Sequence, residues 1–310
     1  MPSIQSPLGA LPARFRRSRV LIVGCGDIGL RVAGLLAHKL TVRALTSQPA
    51  RVAALRAAGT TPLLGNLDQK KSLHRLSGLA TRVLHLAPPA SHGVSDGRTV
   101  ALLRALRLRA APTALVYGST SGVYGDCAGA WVHEGWALVP TTVRAQRRVH
   151  AESSVRFFGR SAGVCCSVLR VPGIYAPNRE GGTPKARLRK GTPVLDAADD
   201  VYTNHIHADD LARACVLALW RGKPQRAYNV NDDSALKMGD YFSAAAALYN
   251  MPVPPRITRA QAALEVAPMP LSFMSESRRM RNARIKRELG LRLQFPDVLE
   301  GLASEFQSPV

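Results

Sequence analysis

The chain has 310 residues, of which 46% are hydrophobic, and it carries a formal net charge of +21 at pH 7. This length is enough to bury one large core or two moderate ones without disulfide bonds, and no run of about 18 uncharged apolar residues indicates a membrane span. The basic residues are spread from Arg14 to Arg292 without a recognition motif such as a zinc finger, so we expect no specific nucleic-acid binding.

The cysteines and the N-terminal segment both favour a cytoplasmic protein. Five cysteines are an odd number and show no metal-ligand spacing, which predicts free thiols in a reducing compartment. The basic residues up to Arg19 run directly into the apolar residues 20–23, which are too few for the hydrophobic part of an export signal. We therefore expect a cytoplasmic location.

A glycine-rich turn joins the first predicted strand to the first predicted helix. Residues 20–23 predict a strand, a Gly-x-Gly-x-x-Gly pattern follows, and residues 30–38 predict a helix before a second strand over residues 41–45. In this context the first glycine permits a tight turn, the second lets the backbone approach a pyrophosphate, and the third allows the helix and the strand to pack closely. The loop residues expected to contact a dinucleotide are Gly24, Gly26, Asp27, Ile28 and Gly29.

Strands and helices continue to alternate along the chain. Apolar segments over residues 61–64, 82–87, 113–117 and 164–171 predict further strands, each followed by a helical or loop segment. This order predicts an α/β fold with a doubly wound parallel sheet, the Rossmann fold, whose ligands bind beyond the carboxyl ends of the strands. The residues predicted to line that rim beside the glycine loop are Leu86, Ala87, Pro88 and Pro172.

Four further segments carry a resemblance to a known family. They are residues 118–125 (GSTSGVYG), 169–177 (LRVPGIYAP), 204–212 (NHIHADDLA) and 227–232 (AYNVND). In sequence and in order they resemble the extended-type short-chain dehydrogenases/reductases, specifically the NAD-dependent epimerase/dehydratase family. The resemblance covers most of the chain after the N-terminal residues.

The resemblance implies a division of the chain into two functional parts. An NAD(P)-binding Rossmann domain over residues 18–175, to which residues 200–230 return, would follow an N-terminal tail of residues 1–17. A smaller C-terminal region over residues 176–310 would bind a small-molecule substrate, for which an anionic or nucleotide-linked compound is a candidate class. Its late basic helix is expected to end at Gly290. A homodimer formed through the helices after the fourth and fifth strands is a family expectation.

The choice of cofactor depends on the end of the second strand. An acidic residue there would hold the ribose diol of NAD, but no carboxylate is present around Thr46. Ser47 and Arg51 could instead contact a 2′-phosphate, which favours NADP over NAD. The resemblance also implies that Asn66 and Leu67 lie beside the adenine, where the Asn66 amide can both donate and accept hydrogen bonds.

The predicted helix that leads to Glu152 departs from the family pattern. The family places a tyrosine and a lysine four residues apart on this helix with a glutamate four residues further, and counting back from Glu152 gives Arg148 and Arg144. Arginine stays protonated and accepts no proton, so Arg144 cannot be a general base, whereas Arg148 can still donate hydrogen bonds to ribose or substrate. Thr120 aligns with the family's serine and keeps the hydroxyl that would steady a substrate carbonyl.

Other polar residues have more than one interpretation. Tyr124 could donate a proton, but in its Val-Tyr-Gly segment we interpret it as a residue that shapes the substrate pocket. The histidines and aspartates of residues 205–210 have a spacing that suggests metal ligands. We expect no metal there, because the segment fits a strand-to-helix junction at which a carboxylate caps backbone N–H groups. Glu134 is expected in a surface loop.

Two classes of function stay open at this point. The first is an NADP-dependent oxidoreductase or a nucleotide-sugar epimerase/dehydratase with altered proton chemistry. The second is a non-catalytic dinucleotide-binding protein that senses redox state or engages a partner. In both, the helix face that carries Arg144 and Arg148 is predicted to belong to the cofactor and substrate site, while Arg147 points elsewhere.

Overall fold

The computed structural model of the chain describes residues 18–306, except for the side chains of residues 268–270. The tail predicted over residues 1–17 lies outside the described residues. The strands are β1 (Arg19–Val23), β2 (Thr41–Thr46), β3 (Thr61–Leu64), β4 (Arg82–His85), β5 (Ala114–Thr120), β6 (Trp131–Val132), β7 (Cys165–Val171), β8 (Gly173–Tyr175), β9 (Val194–Leu195), β10 (His205–His207), β11 (Arg226–Asn229), β12 (Arg256–Ile257) and β13 (Arg279–Met280).

The helices alternate with the strands along the first half of the chain and predominate in the second half. They are α1 (Asp27–Leu36), α2 (Val52–Ala57), α3 (Lys70–Leu73), α4 (Gly97–Leu106), α5 (Val143–Ala162), α6 (Lys185–Arg189), α7 (Ala208–Arg221), α8 (Met238–Leu248), α9 (Arg259–Glu265), α10 (Pro268–Met274), α11 (Ala283–Leu289) and α12 (Val298–Ala303). Within residues 18–306 no helix has the length and apolar character that crossing a bilayer requires.

Seven strands form one parallel sheet in the order β3-β2-β1-β4-β5-β7-β11, which confirms the predicted doubly wound fold. β1 lies in the interior of the sheet, and Val23 at its carboxyl end is in register with both Leu45 of β2 and His85 of β4. The chain order reverses on either side of β1. A crevice at this reversal is where such sheets bind their ligands.

Apolar cores cover both faces of the sheet, as expected for parallel strands that read as continuous apolar runs. On one face α1, α7 and α11 contribute buried residues such as Val32, Leu211 and Ile285. On the other face α4 and α5 contribute residues such as Leu102 and Val155. The strands between them are held on both sides, so the loops at their carboxyl ends project from a rigid base.

A separate apolar core lies among the elements after residue 175, with side chains from α6, α8 and α12 such as Leu188, Phe242 and Leu302. β11 nevertheless belongs to the seven-stranded sheet, and α7 packs on it. The domain boundary after residue 175 stays a prediction. The predicted glycine stop is confirmed, because Gly290 follows α11 with a left-handed φ of +70°.

Two element boundaries differ from the prediction in ways that matter for the site. α1 begins at Asp27 rather than Leu30, because the glycine turn is complete by Gly26, whose carbonyl accepts the N–H of Leu30 at 2.9 Å. β5 continues past residue 117 to Thr120, which is in register with Val171 of β7. This extension carries the Thr120 side chain to the rim of the sheet.

Candidate cofactor and substrate site

The three glycines after β1 have different local environments. Gly24 has φ +86°, and a Cβ on it would lie 2.3 Å from the backbone nitrogen of Ala87. A Cβ on Gly29 would lie 3.2 Å from Cγ2 of Ile22 in β1, so this glycine permits the close approach of helix and strand. A Cβ on Gly26 would meet nothing within 4 Å. The space above Gly26 is therefore open at the N-terminus of α1.

A cavity of about 220 Å³ lies over this turn. Its walls include the residues from Gly24 to Gly29 other than Cys25, together with Leu86 beyond β4 and Arg148 of α5. The sequence predicted all of these as cofactor contacts, and the fold brings them together. Ala87 lies directly against Gly24, whereas the Pro88 carbonyl accepts a hydrogen bond from Arg98 at 3.3 Å.

The residues predicted to meet the adenosine end lie around the end of β2. Arg51 reaches the glycine turn, because its Nη2 donates to the Cys25 carbonyl at 2.7 Å. The Thr46 hydroxyl accepts from the Gln48 backbone at 3.2 Å, and Ser47 is exposed. At the end of β3 the Asn66 side chain accepts from the Asp68 backbone at 2.9 Å, and Leu67 is half-buried.

Arg148 occupies a shared wall between this cavity and a larger one of about 630 Å³. Its Nη1 donates to the hydroxyl of Tyr117 at 3.0 Å and to the carbonyl of Gly118 at 2.8 Å. Tyr117 has no exposed surface, and burial raises the pKa of its hydroxyl to about 12. The phenol therefore stays protonated at neutral pH. Two fixed oxygen atoms of β5 thus orient the Arg148 guanidinium toward the junction of the cavities.

Two other arginines of α5, Arg144 and Arg147, point to different places, as helical spacing predicts. Arg144 precedes Arg148 by four residues and lines the larger cavity, with its guanidinium 5.4 Å from the centre of the Phe273 ring. Arg147 instead donates to the carbonyls of Ser91 and Gly93 at 2.9 and 3.0 Å, outside both cavities. α5 thus presents two cations to the larger cavity, and Arg147 is a built-in control.

Polar and aromatic side chains line the larger cavity from several elements. Thr120 and Pro172 lie at its rim, and the Thr120 hydroxyl accepts from the Gly122 backbone at 3.3 Å. His205 is buried in the wall, and burial lowers the pKa of its imidazole to about 4, so the ring is neutral at pH 7. Arg278 is paired with Glu276 at 2.7 Å.

Sequence and structure comparisons identify the family. The model of the NAD dependent epimerase/dehydratase family matches residues 20–231, well over half of the chain. The chain belongs to this family.

Among solved structures, a conserved protein of unknown function from Silicibacter pomeroyi DSS is 32% identical with a TM-score of 0.78, and the match covers 93% of this chain and 97% of that one. The UDP-glucuronic acid 4-epimerase of Bacillus cereus, solved with UDP-glucuronic acid and NAD, is 18% identical with a TM-score of 0.73, covering 92% and 98% of the two chains. At this identity the second likeness shows the fold alone.

A curated relative is the trifunctional UDP-glucose 4,6-dehydratase/UDP-4-keto-6-deoxy-D-glucose 3,5-epimerase/UDP-4-keto-L-rhamnose-reductase of Arabidopsis thaliana. It is 26% identical over 162 residues, which make up 49% of this chain but only 24% of the relative. The chain therefore spans about a quarter of the length of that relative.

The glycine turn of this epimerase/dehydratase family member fits a dinucleotide. Any side chain at Gly26 would fill the open space above the turn, and the first N–H groups of α1 face that space without a side-chain cap. Backbone N–H groups at a helix N-terminus bind phosphate oxygens. Gly24, Gly26 and the start of α1 would hold the pyrophosphate, and Arg148 would face the nicotinamide end.

Tyr124 lies outside both cavities, in a buried polar network. It is 1% exposed, its hydroxyl donates to Oδ1 of Asn229 at 2.6 Å, and the Tyr124 hydroxyl oxygen accepts from Nη1 of Arg170 at 3.0 Å. Burial raises the pKa of this hydroxyl. Its role as proton donor or pocket residue stays a prediction, and this enclosed position does not favour either role.

The network that holds Tyr124 contains an ion pair that was not predicted from the sequence. Arg170 of β7 is 1% exposed and donates to both carboxylate oxygens of Glu152, from Nε at 3.2 Å and from Nη2 at 2.8 Å. Ser119 donates to the same carboxylate at 2.7 Å. The available signal was a single arginine within the apolar run of β7. This pairing fixes α5 against β5 and β7, and so fixes the position of Arg148 relative to the two cavities.

A short segment after β8 contributes to the wall of the smaller cavity, and it too was not predicted. Nη1 of Arg179 lies 2.9 Å from Oδ2 of Asp27, the first residue of α1, and Arg179 lines the cavity. Arg31 donates to the other Asp27 oxygen at 3.2 Å and to the Asn178 side chain at 2.6 Å. These bonds hold the segment over the N-terminus of α1.

Two predictions about polar side chains were wrong. The cap of α7 is the His207 imidazole, whose Nδ1 accepts from the Asp209 backbone at 3.2 Å, while the Asp210 carboxylate accepts from the backbone of the distant Gln294 at 2.9 Å. Glu134 is 7% exposed rather than at the surface, because its Oε1 accepts from the Asn229 backbone at 3.1 Å. The Asp210 and Glu134 contacts depend on segments far away in sequence, whereas the His207 cap is local.

Proposed function

We propose that this protein is an NADP-preferring oxidoreductase, or a nucleotide-sugar epimerase/dehydratase-like enzyme, in which Arg144 and Arg148 replace the tyrosine and lysine of the family. One observation carries the proposal: Arg148 faces both cavities from a helix that Glu152 anchors to the sheet. A side chain at that junction can contact a cofactor on one side and a substrate on the other. The division into a cofactor domain and a substrate region is part of the same proposal.

The reactive group would come from the cofactor, because a bound nicotinamide donates or accepts a hydride. The protein's own residues would bind and orient. Arg148 would donate hydrogen bonds to ribose or to a substrate oxygen, and the Thr120 hydroxyl would steady the same oxygen. Arg144 would place a positive charge where negative charge accumulates in the reaction, but it could not accept a proton. A substrate hydroxyl would therefore pass its proton to water or to another side chain of the larger cavity.

The proposed preference for NADP rests on Arg51. Its guanidinium reaches the carbonyl of Cys25 in the glycine turn, beside the exposed Ser47. No carboxylate is present between residues 41 and 51 to hold a ribose diol. A 2′-phosphate placed there would meet a guanidinium and a hydroxyl, which is the donor set that phosphate recognition favours.

The second candidate is a non-catalytic NAD(P)-binding redox sensor or interaction protein. It is favoured by the same pair of arginines, since neither can relay a proton and both can bind. α5 also exposes Phe157, 62% of whose surface is accessible. A homodimer formed through α4 and α5 would cover this ring, and that assembly is proposed here for both candidate functions.

Isotope transfer distinguishes the candidates. The full chain is incubated with NADPH deuterated at its transferable hydrogen, together with a panel of UDP-sugars and a metabolite extract. An oxidoreductase moves deuterium into a product, whereas an epimerase changes the configuration of a nucleotide sugar and a dehydratase removes water from it, both with no net loss of cofactor. If none of these changes occurs while the cofactor binds, the catalytic proposal fails and the sensor is retained.

A further inference from the structure

Arg187 lines the larger cavity and has no carboxylate partner in the part of the chain that the structure describes. It lies on α6, with its guanidinium 4.3 Å from the centre of the Phe242 ring. Nη2 donates to the carbonyl of Pro193 at 3.2 Å, and Nη1 lies 3.8 Å from the sulfur of Met238. Its Nε is buried and has no hydrogen-bond acceptor among the residues 18–306.

Two more deeply buried arginines of this chain are paired with carboxylates. Arg278, in the same cavity, lies 2.7 Å from a Glu276 oxygen, and Arg170 is held by Glu152. Burial of a cation without a counter-ion is unfavourable, and burial lowers the pKa of the Arg187 guanidinium. Among residues 18–306 a carbonyl, a thioether and an aromatic ring contact this guanidinium, but no carboxylate offsets its charge, so the charge is available to an anion in the cavity.

A second hydrogen-bond donor lies in the same wall. Tyr241 on α8 lines the cavity, is 7% exposed, and stacks on His205 with ring centres 4.4 Å apart. Burial raises the pKa of the Tyr241 hydroxyl, and Arg187 is the nearby charge that opposes this rise. The hydroxyl is therefore protonated at neutral pH and can donate. A guanidinium and a phenol on one wall make a donor set suited to an anion.

We propose that Arg187 and Tyr241 bind an anionic oxygen group of the substrate, a carboxylate or a phosphate, on a different wall from Thr120 and Arg148. The proposal rests on the proposed function in one respect, that the larger cavity receives the substrate. It adds a requirement on the substrate. The negative group and the reacting carbon of the substrate must be far enough apart to span the cavity from α5 to α6 and α8.

The test measures binding of inorganic phosphate and of malonate to the full chain by calorimetry, with and without NADPH. Arg187→Met keeps an apolar side chain over Phe242 but removes the charge, and we expect it to weaken binding of the preferred anion about ten-fold or more. Arg189→Met is the matched control, because Arg189 is an exposed residue of the same helix. It removes the same charge and should bind like the parent. Tyr241→Phe removes only a hydroxyl and should weaken binding several-fold.

Each outcome decides the proposal. Stronger binding of phosphate assigns a phosphate group to the subsite, and stronger binding of malonate assigns a carboxylate. Three results would overturn the proposal: the parent binds neither anion, the parent and Arg187→Met have equal affinities, or Arg187→Met and Arg189→Met lose the same affinity. Arg187→Met should also melt no lower than the parent, because it removes a poorly compensated charge. If NADPH does not bind the parent, the proposed function fails, whereas the anion measurements without NADPH still decide the proposal about Arg187 and Tyr241.

Discussion

Arg148 and Tyr117 are joined by a hydrogen bond of 3.0 Å, from Nη1 of a helix arginine to the hydroxyl of a tyrosine with no exposed surface in the neighbouring strand. The bond connects α5 to β5 at the junction of the two cavities. It fixes a cation at the position that we propose replaces the family's lysine. The consequences of this placement can be measured.

Arg148→Ala should weaken cofactor binding, whereas Arg147→Ala should not. The first change removes a charge-assisted hydrogen bond, worth about 1.5–3 kcal/mol, or roughly ten- to a hundred-fold in affinity. Arg147 carries the same charge one position away but bonds to the carbonyls of Ser91 and Gly93. Fluorescence titration with NADPH compares the three proteins. If both variants bind NADPH as tightly as the parent, this helix does not face the nicotinamide, and its arginines serve only as surface charges.

Introducing the family's tyrosine and lysine at the two positions proposed for them tests whether this face of α5 belongs to the active site. Arg144→Tyr combined with Arg148→Lys should bind NADPH at least as well as the parent, because lysine retains the charge and can donate to the Tyr117 hydroxyl. The tyrosine would also supply a proton donor that arginine cannot replace. Affinity as low as that of Arg148→Ala would show that the α5 face does not tolerate the family arrangement.

Arg51→Ala should reduce the affinity for NADPH about ten-fold and leave NADH unchanged, since only NADPH has a phosphate for the guanidinium to bind. Arg56→Ala, on the exposed side of α2, is a control of equal charge. Calorimetry with both cofactors measures the two affinities. Equal losses for NADH and NADPH in Arg51→Ala would indicate that the side chain only supports the glycine turn through Cys25.

Gly26→Val should abolish most cofactor binding without unfolding the protein. A Cβ at this position meets nothing within 4 Å, so the fold accommodates it, but the side chain would occupy the space predicted for the pyrophosphate. We expect about a ten-fold or larger loss of NADPH affinity, equivalent to about 1.4 kcal/mol or more. Gly34→Val on the exposed face of α1 also adds a side chain in open space and should bind normally. An unchanged NADPH affinity in Gly26→Val would show that the glycine turn does not bind the cofactor.

Acid should destabilise the protein through Glu288. Hydrogen bonds from Arg226 lower the pKa of its carboxyl from 4.5 to about 2. Because the folded state holds the charged form more strongly, the stabilisation is full above the unfolded value and is lost as the pH falls from about 4.5 towards 2. In Arg226→Ala the melting temperature should fall less steeply between about pH 4.5 and pH 2 than in the parent. Arg287→Ala, whose side chain lies 3.9 Å from the same carboxylate and is largely exposed, should behave like the parent.

The sequence predicted those parts of the site that depend on local geometry. The roles of Gly24 and Gly29 depend on one strand and one helix that are adjacent in the chain, and the shared face of Arg144 and Arg148 depends only on helical spacing. Burial of Glu134, the bond from the Gln294 backbone to Asp210 and the lack of a carboxylate beside Arg187 among residues 18–306 depend on segments that meet only in the folded chain. No local pattern indicates which side chains those distant segments supply.

Because Arg148 belongs to both cavity walls, the proposed function requires cofactor and substrate binding to be coupled. A nicotinamide that engages the guanidinium changes what the substrate meets, and the substrate changes what the cofactor meets by the same free energy. The factor by which substrate alters cofactor affinity must equal the factor by which cofactor alters substrate affinity. Replacement of this one arginine by alanine should bring that common factor close to unity, even if each ligand still binds alone.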